Sequence, residues 1–564
     1  MQYKAGEIRD LFLGGDKVLR KPHLACPRSL PWGGQPGMRG IMAARLFGAI
    51  DVGSYELELK IFEISKKNGV RTIDDIVRRL DLGTDTYNYG KLSFRRTEEL
   101  KKVMLEFKRI MDNYGVEAYK AYGTSAIREL TGASIILDQI ENETGIHVDI
   151  LGNAEQRFLD YKSIAFRSGT FEKMIETGTA ILDIGSGSIQ LSLFDNGKLV
   201  TTQNISIGIL RLNEQVSRIN APTAKFESLV EELCSSRLKI FKHLYLEKRK
   251  IDNIIVVDDY ISDIIHKPNV EGHLMELAEK EGMKTETSDL LSIQKFNVVY
   301  DQIKSANRAE AARMLEIAEE NVPMAHISAI IMRCVCDMMK VENLWLPGVV
   351  LCDGMMYEYA ETQKILTFAH NFEQDIIASA QEISRRYNGS LERSRTLEKI
   401  ALKIFDSTRR FHGLGEREKL LLQISAILHD CGKFISMNNL SDCAYQIIMN
   451  TEIIGISRLE REIIANVVRF NHADFVYYEK QSRIGRSAYM TIARLTAILR
   501  VANGLDRSHK HKFGDFKIRV KDDQLIITVD SKRDITLEKG LFERRADFFE
   551  EIFSIRPVIK QKKD

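Results

Sequence analysis

Two short stretches combine a carboxylate with small, donor-rich residues. They are Asp51-Val-Gly53-Ser54 and, 132 residues later (183 − 51), Asp183-Ile-Gly185-Ser186-Gly187-Ser188. A Gly/Ser turn brings several backbone N–H groups and hydroxyls to one point with no Cβ in the way, which suits phosphate oxygens. A carboxylate at the head of each turn, Asp51 or Asp183, can hold Mg²⁺ beside that phosphate, directly or through water. Water attacking phosphorus also needs a group to orient it, and a Glu on a loop facing the turns would serve. Glu129 and Glu155 both meet that description, and spacing alone does not separate them. Hairpins often contain Asp-x-Gly-Ser for purely structural reasons, so the repeat carries the argument.

The flanking residues predict how the turns are held. An apolar run at 46–51 leads into the first turn, and Leu57, Leu59 and Ile61 then alternate with charged residues. That is strand, polar turn and half-buried strand. The second copy has 179–182, then Ile189, Leu191 and Leu193, then a hairpin turn at Asn196-Gly197. Two such units predict two similar α/β lobes facing across a cleft. The residues from 366 to 505 read as helical. After them, Phe516, Ile518 and Val520, a turn at Asp522-Asp523, and Leu525, Ile527 and Val529 predict a hairpin, followed by a helix near 541–553.

Composition narrows the class. The 564 residues carry 81 Lys+Arg against 79 Asp+Glu, a net charge of +2, which excludes a strongly basic nucleic-acid coat. No motif interleaves basic and aromatic residues for nucleic acid. Hydrophobic residues at 44% and charged residues at 28% are globular values. The 7 cysteines make no disulfide framework, and Cys334 and Cys336 lack C-x-x-C spacing, so a reducing cytoplasm is the expected compartment. No apolar run approaches the roughly 18 residues of a membrane span, so no membrane partner is expected. Only 9 prolines occur, and none lies between Pro347 and Pro557, which favours long helices. Residues 1–43, rich in Gly, Pro and basic side chains, read as an extension before a start at Met38 or Met42, with a basic transit peptide as the alternative.

Four stretches resemble the Ppx/GppA family, the exopolyphosphatases and guanosine pentaphosphate phosphohydrolases of the actin-like ATPase superfamily. They are Gly48-Ala-Ile-Asp-Val-Gly-Ser54, Thr124-Ser-Ala-Ile-Arg-Glu129, Gly152-Asn-Ala-Glu-Gln-Arg157 and Asp183-Ile-Gly-Ser-Gly-Ser188. The resemblance implies an α/β fold of two actin-like (ribonuclease H-like) lobes at 44–168 and 169–365. An all-α HD-like domain at 366–508 and a small α+β domain at 509–564 would follow. It implies Glu155 as the carboxylate that orients water and Arg128 as a phosphate grip. Gly53, Ser54, Gly185, Gly187 and Ser188 would line the phosphate nest, and Asp183, Asp51 and Gln190 would lie at the metal. It also implies Mg²⁺ or another divalent cation, a homodimer, and inorganic polyphosphate or guanosine pentaphosphate as substrate.

The departures from the family pattern are specific. Gln190 stands where the family has Glu, and an amide cannot act as a base. Asp258-Asp259-Tyr260 replaces a Gly-Gly-Thr turn, and Cys352-Asp353-Gly354 replaces Arg-Glu-Gly. In the HD-like segment His429-Asp430 remains, but the upstream His position is Arg393, which stays protonated and cannot ligate metal; this predicts a helical domain without catalysis. The cluster Arg507-Ser-His-Lys-His-Lys512 offers charge for a polyanion. Two outcomes follow: a polyphosphate-hydrolysing enzyme, or a degenerate member that binds polyphosphate or an alarmone without turnover.

Overall fold

The computed structural model describes residues 45–167, 171–219, 225–247, 249–258, 290–367, 370–477, 484–506, 508, 510, 512–513, 515–529 and 533–562. The N-terminal extension, Asp259, Tyr260, Arg507, His509 and His511 lie outside them.

The first sheet has five strands: β1 (Arg45–Val52), β2 (Glu56–Ser65), β3 (Gly69–Arg79), β4 (Ala118–Gly123) and β5 (Asp149–Ile150). Their order is β3-β2-β1-β4-β5, antiparallel through the first three and parallel from β1 to β4 to β5. Helices α1 (Leu82–Tyr89), α2 (Phe94–Tyr114), α3 (Ser125–Glu129), α4 (Ala133–Thr144) and α5 (Asn153–Arg167) belong to this half. The second sheet contains β6 (Thr179–Ile184), β7 (Ile189–Asp195), β8 (Lys198–Ile205), β9 (Asn253–Asp258), β10 (Leu290–Ser292) and β11 (Asn343–Trp345), in the order β10-β11-β9-β6-β7-β8. Without its β10 edge it repeats the first sheet, strand for strand. The Asn196-Gly197 turn forms with both residues at positive φ (52° and 69°), the twist a two-residue hairpin requires.

The helices of the second half include α6 (Phe171–Ile175), α7 (Ile209–Ile219), α8 (Phe226–Tyr245), α9 (Val322–Met339) and α10 (Leu351–Thr362), with two further helices at Ile293–Ser305 and Arg308–Met314. Both faces of each sheet are covered. Leu57, Leu59 and Ile61 pack under α2 and α4, while Phe47, Ala49 and Phe62 pack under Met355 and Met356 of α10. The alternation in β2 had suggested a half-buried strand; instead Lys60 is also buried, held by Glu58 at 3.5 Å and Asp353 at 3.4 Å. Thus α10, expected in the second lobe, packs on the first sheet. Cys352 is buried on this face, with its Sγ 3.6 Å from the Ala49 carbonyl. Among the described residues one helix, Glu319–Met339, could cross a bilayer by length and composition. Ile327, Ile330 and Ile331 on it have no exposure, and they pack in the second lobe's core.

Helices α11 (Phe372–Arg386), α12 (Leu391–Ser407), α13 (Glu416–Leu428), α14 (Leu440–Met449), α15 (Arg458–Phe470) and α16 (Arg486–Leu505) follow. Their core is continuous with Ile181, Phe194 and Ile255 on the second sheet and with Leu525, Ile527 and Phe549 in the tail. The tail is a hairpin, β12 (Phe516–Lys521) and β13 (Gln524–Val529), then α17 (Thr536–Phe553) and a third strand, β14 (Arg556–Gln561), parallel to β13. Lys512, expected in a cationic patch, turns inward to Glu538 at 2.9 Å.

One polar knot ties the lobes to the helical segment. His370 Nδ1 lies 2.6 Å from Glu172 on α6, and its Nε2 lies 2.5 Å from Asp375 on α11 and 2.6 Å from the Tyr161 hydroxyl on α5. Burial opposes the imidazolium, but the hydrogen bond and charge of Asp375, with those of Glu172, outweigh it and raise the pKa. A raised folded-state pKa adds stability that is complete below the unfolded value of about 6.5 and is lost as pH rises through the folded value. Thermal melts should therefore show wild type losing its advantage over His370→Gln, on the order of 1 kcal/mol, as pH rises above about 6.5. A constant difference across that window would refute the assignment.

Candidate active site

The two turns close identically. Gly53 N–H donates to the Glu56 carbonyl at 3.1 Å, and Gly185 N–H donates to the Ser188 carbonyl at 3.1 Å. Both glycine amides are therefore spent on the hairpins. The start of α7 backs the second turn, with Leu210 N–H donating to the Ser186 carbonyl at 2.9 Å.

The structure brings the two turns together across the cleft. Ser54 Oγ accepts from Ala126 N–H at 3.1 Å and lies 2.9 Å from the Tyr87 hydroxyl, which donates to Ser125 Oγ at 3.0 Å. Gly187 sits against these groups so closely that a Cβ would lie 2.3 Å from Ser125 Oγ and 2.5 Å from the Tyr87 hydroxyl. Arg211 of α7 bridges the lobes: its Nε donates to the Gly187 carbonyl at 2.7 Å, and its Nη2 meets both Glu129 oxygens at 2.7 Å. Glu129, one of the two candidate bases, is thereby tied to a structural ion pair.

Asp51, Asp183 and Arg128 form the charged centre. Both aspartates act on Arg128, whose Nη1 also donates to the Leu151 carbonyl at 2.6 Å. Burial pushes the Asp51 carboxyl up to about 7, against the pull of Thr124 and Arg128, and its Oδ1 is buried with no hydrogen-bond partner. Gln190 pairs directly opposite Asp183 across β6 and β7; it is 4% exposed and its Oε1 likewise has no partner. Buried oxygens of this kind are costly unless a ligand takes them up. An all-oxygen donor set of this size fits a hard divalent cation such as Mg²⁺, which keeps waters and substrate oxygens as further ligands. Among the described residues no three His, Cys, Asp or Glu side chains gather as a metal site.

Glu155 stands at the first turn of α5. Its Oε2 accepts from Gly152 N–H at 3.2 Å, and burial raises its pKa, with Glu460 and Glu358 adding to the rise and Arg417 opposing it. Its charged neighbours thus lie on α10, α13 and α15 rather than at the two aspartates. Glu58 was missed in the sequence. It faces Asp51 across β1 and β2 as Gln190 faces Asp183, at the same offset (190 − 58 = 132). Burial pushes Glu58 up to about 8, with Lys60 opposing and Asp75, Asp353 and Asp51 assisting. The repeat carries that signal, but alternation along β2 marks the residue only as the polar side of a strand.

His429 and Asp430 lie far along the chain, in the helical core. His429 has no exposure and its Nδ1 is bonded to the Ala426 carbonyl at 2.8 Å. Arg393 Nη1 is 3.6 Å from Asp430, and its Nη2 donates to Asn503 at 3.3 Å. Burial and the charges of Arg393 and Lys433 lower the His429 pKa to about 4, although Asp430 opposes them. A fixed cation beside a neutral imidazole occupies the ground a metal would need.

Paired ribonuclease H-like sheets, each placing an Asp-x-Gly-Ser hairpin at one cleft, define an actin-like phosphate-handling protein. A sequence profile of the Ppx/GppA phosphatase family matches residues 61–363, and one of Ppx/GppA phosphatase domain III matches residues 377–545. The chain belongs to the Ppx/GppA phosphatase family. It is 20% identical over 490 residues to a guanosine-5'-triphosphate,3'-diphosphate pyrophosphatase of Photobacterium profundum, covering 86% of this chain and 91% of that one. It is 23% identical over 205 residues to exopolyphosphatase 1 of Mycobacterium leprae, covering 36% of this chain and 59% of that one. An exopolyphosphatase structure from Cytophaga hutchinsonii aligns at a TM-score of 0.48 and 18% identity, over 57% of this chain and 100% of that one.

Proposed function

We propose that the chain removes the terminal phosphate of inorganic polyphosphate by attack of water on the outermost phosphorus. The observation that carries this reading is the pair of aspartates and orphaned oxygens beside Arg128, where the two turns meet. Arg128 and the amides of the second turn bind the terminal phosphoryl oxygens, and Glu155 orients the water and takes its proton. Asp51, Asp183 and Gln190 would hold Mg²⁺. When bound, the cation offsets charge on the phosphoryl oxygens. Guanosine pentaphosphate is the second reading, supported by a similarity that spans 86% of this chain to a pyrophosphatase named for that substrate.

Phosphate release from long-chain polyphosphate and from guanosine pentaphosphate, measured with wild type and Asp183→Asn, tests both. Turnover of polyphosphate that Asp183→Asn lowers by about 10²-fold or more supports the first reading. Turnover of the nucleotide alone supports the second. Micromolar binding of either with no release under several divalent metals would leave a degenerate binding protein, the outcome Gln190 motivates.

A further inference from the structure

We propose that Arg157 of α5 and Arg461 of α15 form a second anion subsite that takes oxygens of a condensed phosphate beyond the phosphoryl group being transferred. It rests on the phosphohydrolase reading above and extends it to the rest of the substrate chain.

Arg157 is 4% exposed, yet only one of its three nitrogens is used. Nη2 pairs with Glu452, whereas Nε and Nη1 are buried with no hydrogen-bond partner. Arg461 shows the same pattern: Nη1 donates to the Thr451 carbonyl at 3.2 Å, and Nε is buried without a partner. The two guanidiniums, from separate parts of the chain, are held by adjacent residues, Glu452 and Thr451, and between them carry three idle nitrogens. Buried side-chain donors are nearly always satisfied, so a group of unmet ones calls for a ligand. Arg157 lies next to the candidate centre, for Asp183, Arg128, Arg461 and Asp160 are its charged neighbours, and Arg461 lies beside Glu155. Arg128 and Arg461 repel Arg157, so an anion entering between them relieves that repulsion.

The chemistry of the forks names the ligand. Guanidinium presents parallel N–H groups matched to the oxygens of phosphate, and it is the preferred group where such recognition must be oriented. The pairing with Glu452 accounts for Nη2 only, so a purely structural role leaves the other donors unexplained. Arg128 already serves the phosphoryl group at the turns. Arg157, beside Asp183 and reaching toward Arg461 on the helical segment, is placed for the next phosphate along. The helical segment then contributes directly to substrate selection.

The test compares the full chain with Arg157→Gln, Arg157→Lys and Arg461→Lys, each checked by thermal melting. Calorimetry reads binding of inorganic tripolyphosphate and of orthophosphate, and steady-state assays read kcat and KM for polyphosphate. The expected result is tripolyphosphate affinity at least tenfold weaker in Arg157→Gln and Arg461→Lys, with Arg157→Lys intermediate. Orthophosphate affinity should be unchanged, and KM should rise more than kcat falls. Wild-type tripolyphosphate affinity in folded Arg157→Gln or Arg461→Lys overturns the subsite, and so does an equal loss for both anions. If Arg157→Gln fails to fold, Arg461→Lys decides. Absent turnover in wild type would end the phosphohydrolase reading while the binding comparison still judges the subsite.

Discussion

Glu155→Gln is expected to lower kcat for phosphate release by about 10²- to 10⁴-fold, the usual contribution of a positioned general base, with the melting temperature nearly unchanged. The two halves of that expectation separate catalysis from structure. Glu155 occupies the third position of α5 and returns to the Gly152 N–H at 3.2 Å, the reach-back bond of a helix start. Gln makes the same bond, so the helix end survives. What Gln lacks is a basic oxygen. If Glu155 only caps α5, Glu155→Gln is silent in both measurements and Glu155→Ala costs about 1 kcal/mol of stability. The pH profile adds a check. Burial raises this carboxyl above its ordinary 4.5, and a base works only when ionised. The rate of wild type should therefore climb as pH rises through the raised value, and that limb should vanish in Glu155→Gln. Equal rates from wild type and Glu155→Gln would remove Glu155 from the mechanism.

The site was legible in the sequence where its chemistry is local. Asp51, Gly53 and Ser54, or Asp183, Gly185 and Gly187, are contiguous, and their repetition marked them without a fold. Glu58 and Gln190 were harder: each lies seven residues beyond its aspartate and meets it only through strand register. The two-lobe topology followed from the repeated hairpins. Periodicity did not say which sheet a helix would cover, so α10 was expected on the second lobe although Met355 and Met356 pack beneath the first. The reading of the tail stops at its helix and does not reach β14, whose Pro557 is tolerated because the strand is an edge of its sheet, where a missing N–H costs little. Lys512 was counted as surface charge because nothing local to it points to Glu538, 26 residues away. Arg157 lay inside a quoted motif, but its importance comes from which of its nitrogens are left idle, a property of packing that no spacing encodes.

Gly208→Ala is expected to disable the protein through one methyl group. Gly208 precedes α7 and lies against the second turn. A Cβ there would stand 2.2 Å from the Ser188 nitrogen, 2.3 Å from the Gly187 carbonyl carbon and 2.5 Å from the Gly187 nitrogen. All three are backbone atoms, so no side chain can swing aside; either the turn or the start of α7 must move. Overpacking of this kind costs about 1–3 kcal/mol. The functional loss should exceed the stability loss, because the displaced amides are those proposed to bind the terminal phosphoryl oxygens. A shift of about 1 Å at a reacting centre can cost on the order of 10²-fold in rate. The shift also propagates across the cleft, since Gly187 is already packed on Ser125 and Tyr87 and its carbonyl holds Arg211. Gly540→Ala is the matched control: it lies inside α17 with nothing within 4 Å of the added methyl. It should leave activity intact and stabilise by about 0.5–1 kcal/mol, the helix preference for Ala over Gly. Thermal melts and phosphate-release rates on the two variants decide the matter. Wild-type turnover in Gly208→Ala would mean that the second turn need not hold its position for the reaction, and the phosphate nest would have to be sought elsewhere.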